Sequence, residues 1–324
     1  MNAEQLTGWT PARVFWQGAE PFVEWAMLGE IRLKEPFFEQ TMGLAMHHPF
    51  NQLFRRRTQM SALAELEATS PGLPPRGFIF HMSRCGSTLI SQMLAALSCN
   101  LVLSEAPPID SVLHTQVKQP QVTDEERVKW LRGMVNALGQ KRHEEERHLF
   151  IKFDSWHVLS LPLIERAFPG VPWIFLYREP LEVMASHLRS RGGQLLPGYL
   201  KPADVGLDAE SMSRMSLDEY GARVLAKFCE TALRCRQVGR GLLVNYSQLP
   251  DIFFDALLDH FGMSYAPEEI EHMRRATAFD AKRPGMQFKS DAAEKQSEVT
   301  AEARQLAERW MAPIYAELES ARLP

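Results

Sequence analysis

The sequence predicts an α/β protein whose mostly parallel central sheet is covered by helices on both faces. Three observations predict it. Five short apolar runs alternate with segments of helical periodicity. The runs are apolar almost throughout, as expected of strands buried on both faces. Polar residues that break the pattern stand just after the runs, at the carboxyl ends where such sheets bind ligands.

Residues 1–75 are expected to form an N-terminal extension packed on the main domain, residues 76–324. Trp9, Phe15, Trp16, Phe22, Trp25, Phe37 and Phe38, with Met27, Leu28 and Leu33, suit a small apolar packing surface. A part in walling a substrate pocket is the second reading. Arg55-Arg56-Arg57 reads as a solvated basic face.

Strands are predicted at 77–81, 100–104, 148–153, 173–177 and 241–246. Helices are predicted at 87–97, 124–138, 159–168, 180–190, 217–237, 250–261 and 302–320. Leu89, Ile90, Met93, Leu94 and Leu97 recur at helical spacing in the first of these. Thr123 and Glu126 form a capping box that opens the second. Pro180 suits a first helical turn, where its missing N–H costs nothing. Ser190 to Met215, with Gly192-Gly193, Pro197-Gly198 and Pro202, reads as a long irregular loop of the kind that forms lids or binding loops.

Composition narrows the function. The chain has 324 residues, 45% hydrophobic and 23% charged, as in a soluble globular protein. A net charge of −4 argues against a general nucleic-acid binder. No run of about eighteen apolar residues occurs, so no membrane span is expected. The first sixteen residues lack the basic region and apolar core of a signal peptide, which makes the cytoplasm the expected location. Cys85, Cys99, Cys229 and Cys235 form no C-x-x-C pair. His143 and His148 are five apart, not the four that aligns two ligands on one helix face, so no metal is assigned.

The chemistry concentrates in Gly77 to Ile90. A strand runs into the polar turn Ser83 to Gly86 and then a helix, which presents backbone N–H groups and a helix N-terminus to an anion. Arg84 adds charge, and Ser87 and Thr88 add hydroxyl donors. This is not a Walker A loop, because no Lys follows Gly86 and no Gly precedes it at the required offset.

Arg84-Cys85-Gly86-Ser87-Thr88-Leu89 instead resembles the 5′-phosphosulfate loop of sulfotransferases that use 3′-phosphoadenylyl sulfate (PAPS). Arg178-Glu179-Pro180, with Ser186 eight positions after the Arg, resembles the family's 3′-phosphate site. Leu242 to Leu249 resembles the strand that ends in an aromatic near the adenine, here Tyr246; Ser247-Gln248 stands where acidic residues are usual. Lys282 to Lys289, with Arg283 and Gly285, resembles the basic loop that closes over the 3′-phosphate, at a different spacing.

The resemblance covers residues 77 to 290 through separated motifs and implies a P-loop-like nucleotide-binding core. It implies transfer of a sulfuryl group from PAPS to a hydroxyl or amine, leaving adenosine 3′,5′-bisphosphate (PAP). Phe150 to Asp154 resembles a strand carrying Lys-Thr-His in cytosolic members, so Lys152 takes the Lys position and Asp154 falls where a catalytic His would be. Glu105, after the second core strand, matches a Glu used as base by some members. Glu105 is the favoured base and Asp154 the alternative, with Arg84 and Lys152 as the cations on the leaving oxygen. His81, His114 and His157 are expected to be structural. An atypical P-loop kinase or nucleotide hydrolase, or a non-catalytic nucleotide-binding protein, are the competing readings. The acceptor and the oligomeric state are not specified by these residues.

Overall fold

The structure, a computed structural model, describes residues 6–236, 240–278 and 299–322. Its core is a five-stranded sheet of β4 (Pro75–His81), β5 (Asn100–Ser104), β6 (His148–Lys152), β7 (Trp173–Tyr177) and β8 (Gly241–Asn245). The strand order is β5-β6-β4-β7-β8 and every pairing is parallel. The chain lays β5 and β6 on one side of β4, then crosses to lay β7 and β8 on the other. The reversal leaves a crevice at the carboxyl end of β4, the place where open α/β sheets bind ligands.

The strands are buried because both faces are packed. Phe78, Phe80, Phe150, Phe153, Trp173 and Phe175 are each at most 2% exposed. Phe80 stacks on Phe153 with ring centroids 4.7 Å apart and meets Trp173 edge-on at 6.0 Å. Covering helices include Ser87–Ala95, Asp124–Leu138, Leu161–Ala167, Pro180–Arg189 and Leu217–Arg236. Thr123 Oγ1 accepts from the Glu126 N–H at 3.2 Å and Glu126 accepts from the Thr123 N–H at 2.9 Å, so the capping box forms. A C-terminal helical run over residues 301–321 braces the β7–β8 side of the sheet. There Glu319 accepts from Tyr177 Oη at 2.6 Å and from Asn245 Nδ2 at 2.7 Å, tying the ends of β7 and β8 together.

Residues before the core are more regular than a packing surface. β1 (Trp9–Gln17), β2 (Glu20–Met27) and β3 (Arg56–Gln59) form an antiparallel sheet in that order. Gly18, at φ +61°, makes the two-residue turn between β1 and β2. Glu24 is buried at the centre of this sheet, where Arg13, Arg55 and Arg57 converge on its carboxylate. Helices Phe38–His47 and Pro49–Leu53 connect β2 to β3. Asn51 pins them by accepting from the Met27 N–H at 2.8 Å and donating to the Ala45 carbonyl at 2.8 Å. Arg32 joins this segment to the core through Glu145 and the Ser98 carbonyl.

The segment Ser190 to Met215 is only partly irregular. It holds the tight turns Gly193–Leu195 and Pro202–Val205 and the helix Ala209–Arg214. Among the described residues, no helix is long and apolar enough to cross a membrane.

Candidate active site

β4 ends at His81, and the backbone then coils into a left-handed path. Ser83, Arg84 and Gly86 have φ of 84°, 53° and 84°. Glu105, just beyond β5, has φ 53°. Among the described residues these three non-glycine positions are the ones with positive φ, and all lie on the same sheet edge. Such strain persists where surrounding contacts fix it, commonly at functional sites.

His81 is one of those contacts. Its Nδ1 accepts from the Ser83 N–H at 3.1 Å, so the ring proton sits on Nε2. Nε2 reaches the Phe153 carbonyl at 3.1 Å and faces Glu105 Oε1 at 3.5 Å. The Cys85 thiol is buried and donates to the Leu176 carbonyl at 3.1 Å, so its side chain anchors the turn from within. Gly86 is the N-cap of the helix Ser87–Ala95. A Cβ at Gly86 would stand 2.7 Å from the Tyr246 ring, so glycine is required by both its backbone and its neighbour. Ser87 and Thr88 occupy the first helical turn, where N–H groups lack intrahelical acceptors. Leu89 is packed partly against the core, and its N–H bonds the Gly86 carbonyl at 2.9 Å.

The second cation lies across Tyr246. Arg178 follows β7, is 7% exposed, and holds its guanidinium 4.1 Å from the Tyr246 ring centroid. Glu182, one turn into the next helix, pairs with Arg178. Arg84 donates to the Ser190 carbonyl at 2.8 Å. Residues 182, 186 and 190 are spaced by one helical turn, so Ser186 lies on the helix face between the two arginine anchors. Gln194 Nε2 reaches Ser83 Oγ at 3.4 Å, which brings the following loop onto the Ser83–Gly86 turn.

Beyond β5 and β6 the groups are acidic. Lys152 is buried and pairs with Glu105. Burial opposes the Glu105 charge, but the Lys152 ammonium and the His81 hydrogen bond hold its carboxyl well below the usual carboxylate range. Asp154, two residues beyond Lys152, is pushed the other way. Burial raises it well above its ordinary value, and the charges of Glu105 and Asp110 add to the rise.

Asp110 is a hub. Its Oδ1 lies 2.8 Å from Trp156 Nε1, 2.8 Å from His157 Nε2 and 2.9 Å from His114 Nδ1. Burial works against this charge too, but the bonds from His114 and His157 keep Asp110 far below the ordinary range. These three residues have the composition of a metal triad. His157 Nδ1, however, faces the Asp154 N–H at 3.2 Å, which leaves the proton on Nε2, toward Asp110. A metal-binding imidazole instead donates through its other nitrogen.

Aromatic rings border this acidic end. Tyr199 meets Trp156 edge-on with centroids 5.1 Å apart, and the Phe37 ring centroid lies 5.2 Å from Lys152 Nζ. Burial, with the charges of Asp110, Asp154 and Glu39, pushes the Tyr199 phenol up to about 12.

The edge thus has an end that carries Arg84 and Arg178 beside the Ser83–Gly86 turn, and an acidic, aromatic end beyond Lys152. The chain resembles sulfotransferases in structure. It is similar to a sulfotransferase domain from the Synechococcus PCC 7002 olefin synthase, at 18% identity and a TM-score of 0.46, covering 79% of this chain and 98% of that one. It is similar to the sulfotransferase STF9 from Mycobacterium avium, at 15% identity and a TM-score of 0.45, covering 78% of each chain. The mouse sulfotransferase SULT7A1, solved with PAP, matches at 11% identity and a TM-score of 0.41, covering 79% of this chain and 88% of that one. No family model matches the sequence, and no curated protein matches it.

On this sheet edge, Arg84 to Thr88, Arg178 and Tyr246 are brought together, with Ser186 on the adjoining helix face. Glu105, Lys152 and Asp154 gather beside them. Arg283 and Gly285 lie outside the described residues. Sequence reading missed Glu182 and the Asp110 hub. The spacing of Asp110 and His114, four apart where His114 caps the helix Pro107–Leu113, was a readable signal for part of the hub. Trp156 and Tyr199 carried none, because a turn and a loop bring them together.

Proposed function

We propose that this protein is a sulfotransferase that moves a sulfuryl group from PAPS to a hydroxyl or amine acceptor and releases PAP. The observation that carries the reading is the junction of Gly86, Tyr246 and Arg178. A tyrosine ring lies against the glycine of an anion turn and carries an arginine on it. That junction fits a nucleotide with one phosphate at the turn and a second near Arg178, and the Gly86 cradle is one that a Cβ would fill. PAPS bound there supplies an activated sulfate whose bridging S–O bond breaks as the acceptor attacks.

The chain's own residues would act as follows. The first-turn N–H groups of the helix Ser87–Ala95 and the Arg84 guanidinium hold the 5′-phosphate. They stabilise the charge that grows on its bridging oxygen. Lys152, held by Glu105, adds a fixed cation nearby. Arg178 and Ser186 take the 3′-phosphate. The proton lost by the acceptor goes to a carboxylate at the acidic end. The sequence favours Glu105 for this role; the electrostatics move our proposal to Asp154. A carboxylate clamped by Lys152 is a weak proton acceptor, whereas one raised by burial and like charges holds a proton more tightly. Glu105 then serves to position Lys152. Phe37, Trp156 and Tyr199 would border the acceptor.

Calorimetry with PAP, ADP and AMP tests the reading. PAP is expected to bind well above the other two, because only it carries a 3′-phosphate. Equal affinity for all three would remove the 3′-phosphate site and the reading with it.

A further inference from the structure

One surface stands apart from this edge. Leu44, Phe50, Leu53 and Phe54 are 65%, 39%, 78% and 59% exposed, on and just after the two helices that connect β2 to β3. The Phe50 and Phe54 rings are 5.0 Å apart and Phe50 lies 5.9 Å from Trp9, so these rings form one patch, with Leu53 on the same short helix as Phe50. From Gln40 to Ala64 the sequence has no Asp or Glu, but it has Arg55, Arg56, Arg57, His47 and His48. That segregation is notable in a chain with 40 acidic and 36 basic residues. Arg13 and Arg57 pair with the buried Glu24 on the opposite face of the three-stranded sheet. Arg56 lies on the patch's side, over the Trp9 ring and 4.3 Å from its centroid, and the half-exposed Arg55 directly follows Phe54. These two charges flank the patch.

We propose that this patch docks the protein on an anionic phospholipid surface. Protruding Leu and Phe side chains flanked by arginines are the interfacial signature, the apolar groups entering the acyl boundary while the cations meet the headgroups. Charge complementarity selects the occupant. A second copy docking isologously would set the arginines of one patch against those of the other. Nucleic acid would use the arginines but leave the four apolar side chains without a partner. The helix Phe38–His47 begins beside Phe37, whose ring faces Lys152, so the patch and the acidic end of the edge share one short element. Leu44 stands about 10 Å along that helix. The docking proposal does not depend on the identity of the reaction.

Sedimentation of the full chain with vesicles tests it. One set is phosphatidylcholine alone; the other is equal parts phosphatidylcholine and phosphatidylglycerol. The protein is expected to sediment with the anionic vesicles and to be released by high salt. The exposed pair Leu53→Glu/Phe54→Glu should lower partitioning about tenfold or more, with an unchanged melting temperature. Arg56→Gln should lower it about fivefold. Absence of sedimentation, equal sedimentation with both vesicle sets, or a Leu53→Glu/Phe54→Glu variant that sediments like the parent would overturn the proposal. A dimer that dissociates in that variant, without vesicle binding, would assign the patch to a second copy instead.

Discussion

Glu105 grips Lys152 across the carboxyl ends of β5 and β6, and Asp154 stands two residues beyond that pair. The grip separates the two carboxyl groups chemically. One is held ionised by the ammonium it touches; the other is raised by burial and by the charges around it. Lys152, buried, would be costly to keep charged without this partner.

The first prediction concerns the proton acceptor. Asp154→Asn should lower kcat by about 10²–10⁴, the range for loss of a general base, with little change in PAP affinity. The acidic limb of the parent's kcat/KM profile should lie above the ordinary carboxylate range and disappear in this variant. If Glu105→Gln removes the limb and Asp154→Asn does not, the roles are exchanged.

Stability should report the same asymmetry. A carboxyl raised in the folded state favours folding below its unfolded value of about 3.9, and that benefit is lost as pH rises through the folded value. Asp154→Asn should therefore raise the melting temperature at neutral pH, with the gain shrinking as pH falls. Glu105 is depressed, so its contribution is present above about pH 4.3 and lost as pH falls through its folded value. Glu105→Gln should lower the melting temperature at neutral pH. Melting curves across pH that move in the same direction for both variants would contradict the assignment.

Arg178 supplies a binding test. Arg178→Ala should weaken PAP by about 1.5–3 kcal/mol, the scale of a hydrogen bond to a charged group, and leave AMP nearly unchanged. Calorimetry with both ligands separates this from a general loss of folding, which would weaken both alike.

Arg84 and Lys152 should act mainly on turnover. Charge on the leaving oxygen grows in the transition state, so Arg84→Ala and Lys152→Ala are each expected to lower kcat by about a hundredfold or more. Lys152→Ala also leaves Glu105 without its cation, so the double variant Lys152→Ala/Glu105→Gln should regain stability but not rate. A change confined to KM would reduce both cations to positioning the donor.

Gly86→Ala tests the cradle. The backbone conformation disfavours any side chain, and the new Cβ would press on the Tyr246 ring. PAP binding should fall below detection in a protein that still melts cooperatively. Retained affinity would place the nucleotide elsewhere.

The central sheet was legible because its signal is local. Phe78–Phe80 and Trp173–Tyr177 are apolar throughout, and strands buried on both faces need no partner to declare themselves. The polar residues that follow them were legible for the same reason. The strands of residues 9–59 were harder to see. Pro11 and Arg13 interrupt the first, and Glu24 lies in the middle of the second, buried only because three arginines from separate strands and turns converge on it. Gly18-Ala19 between two aromatic runs was the available hairpin signal.

By itself the sequence pointed to the α/β class and the polar turn at Ser83–Gly86, since each rests on neighbouring residue types and their spacing, while the candidate role of Arg178 is what the family resemblance implies. Only the tertiary structure decided which carboxyl group is clamped and which is raised. Glu105 and Lys152 are 47 positions apart. Asp110 reaches His157 over the same separation. Local sequence carries no record of such pairs, because a side chain's electrostatics depend on burial and on charges delivered by other strands, and parallel strands meet only after long crossovers.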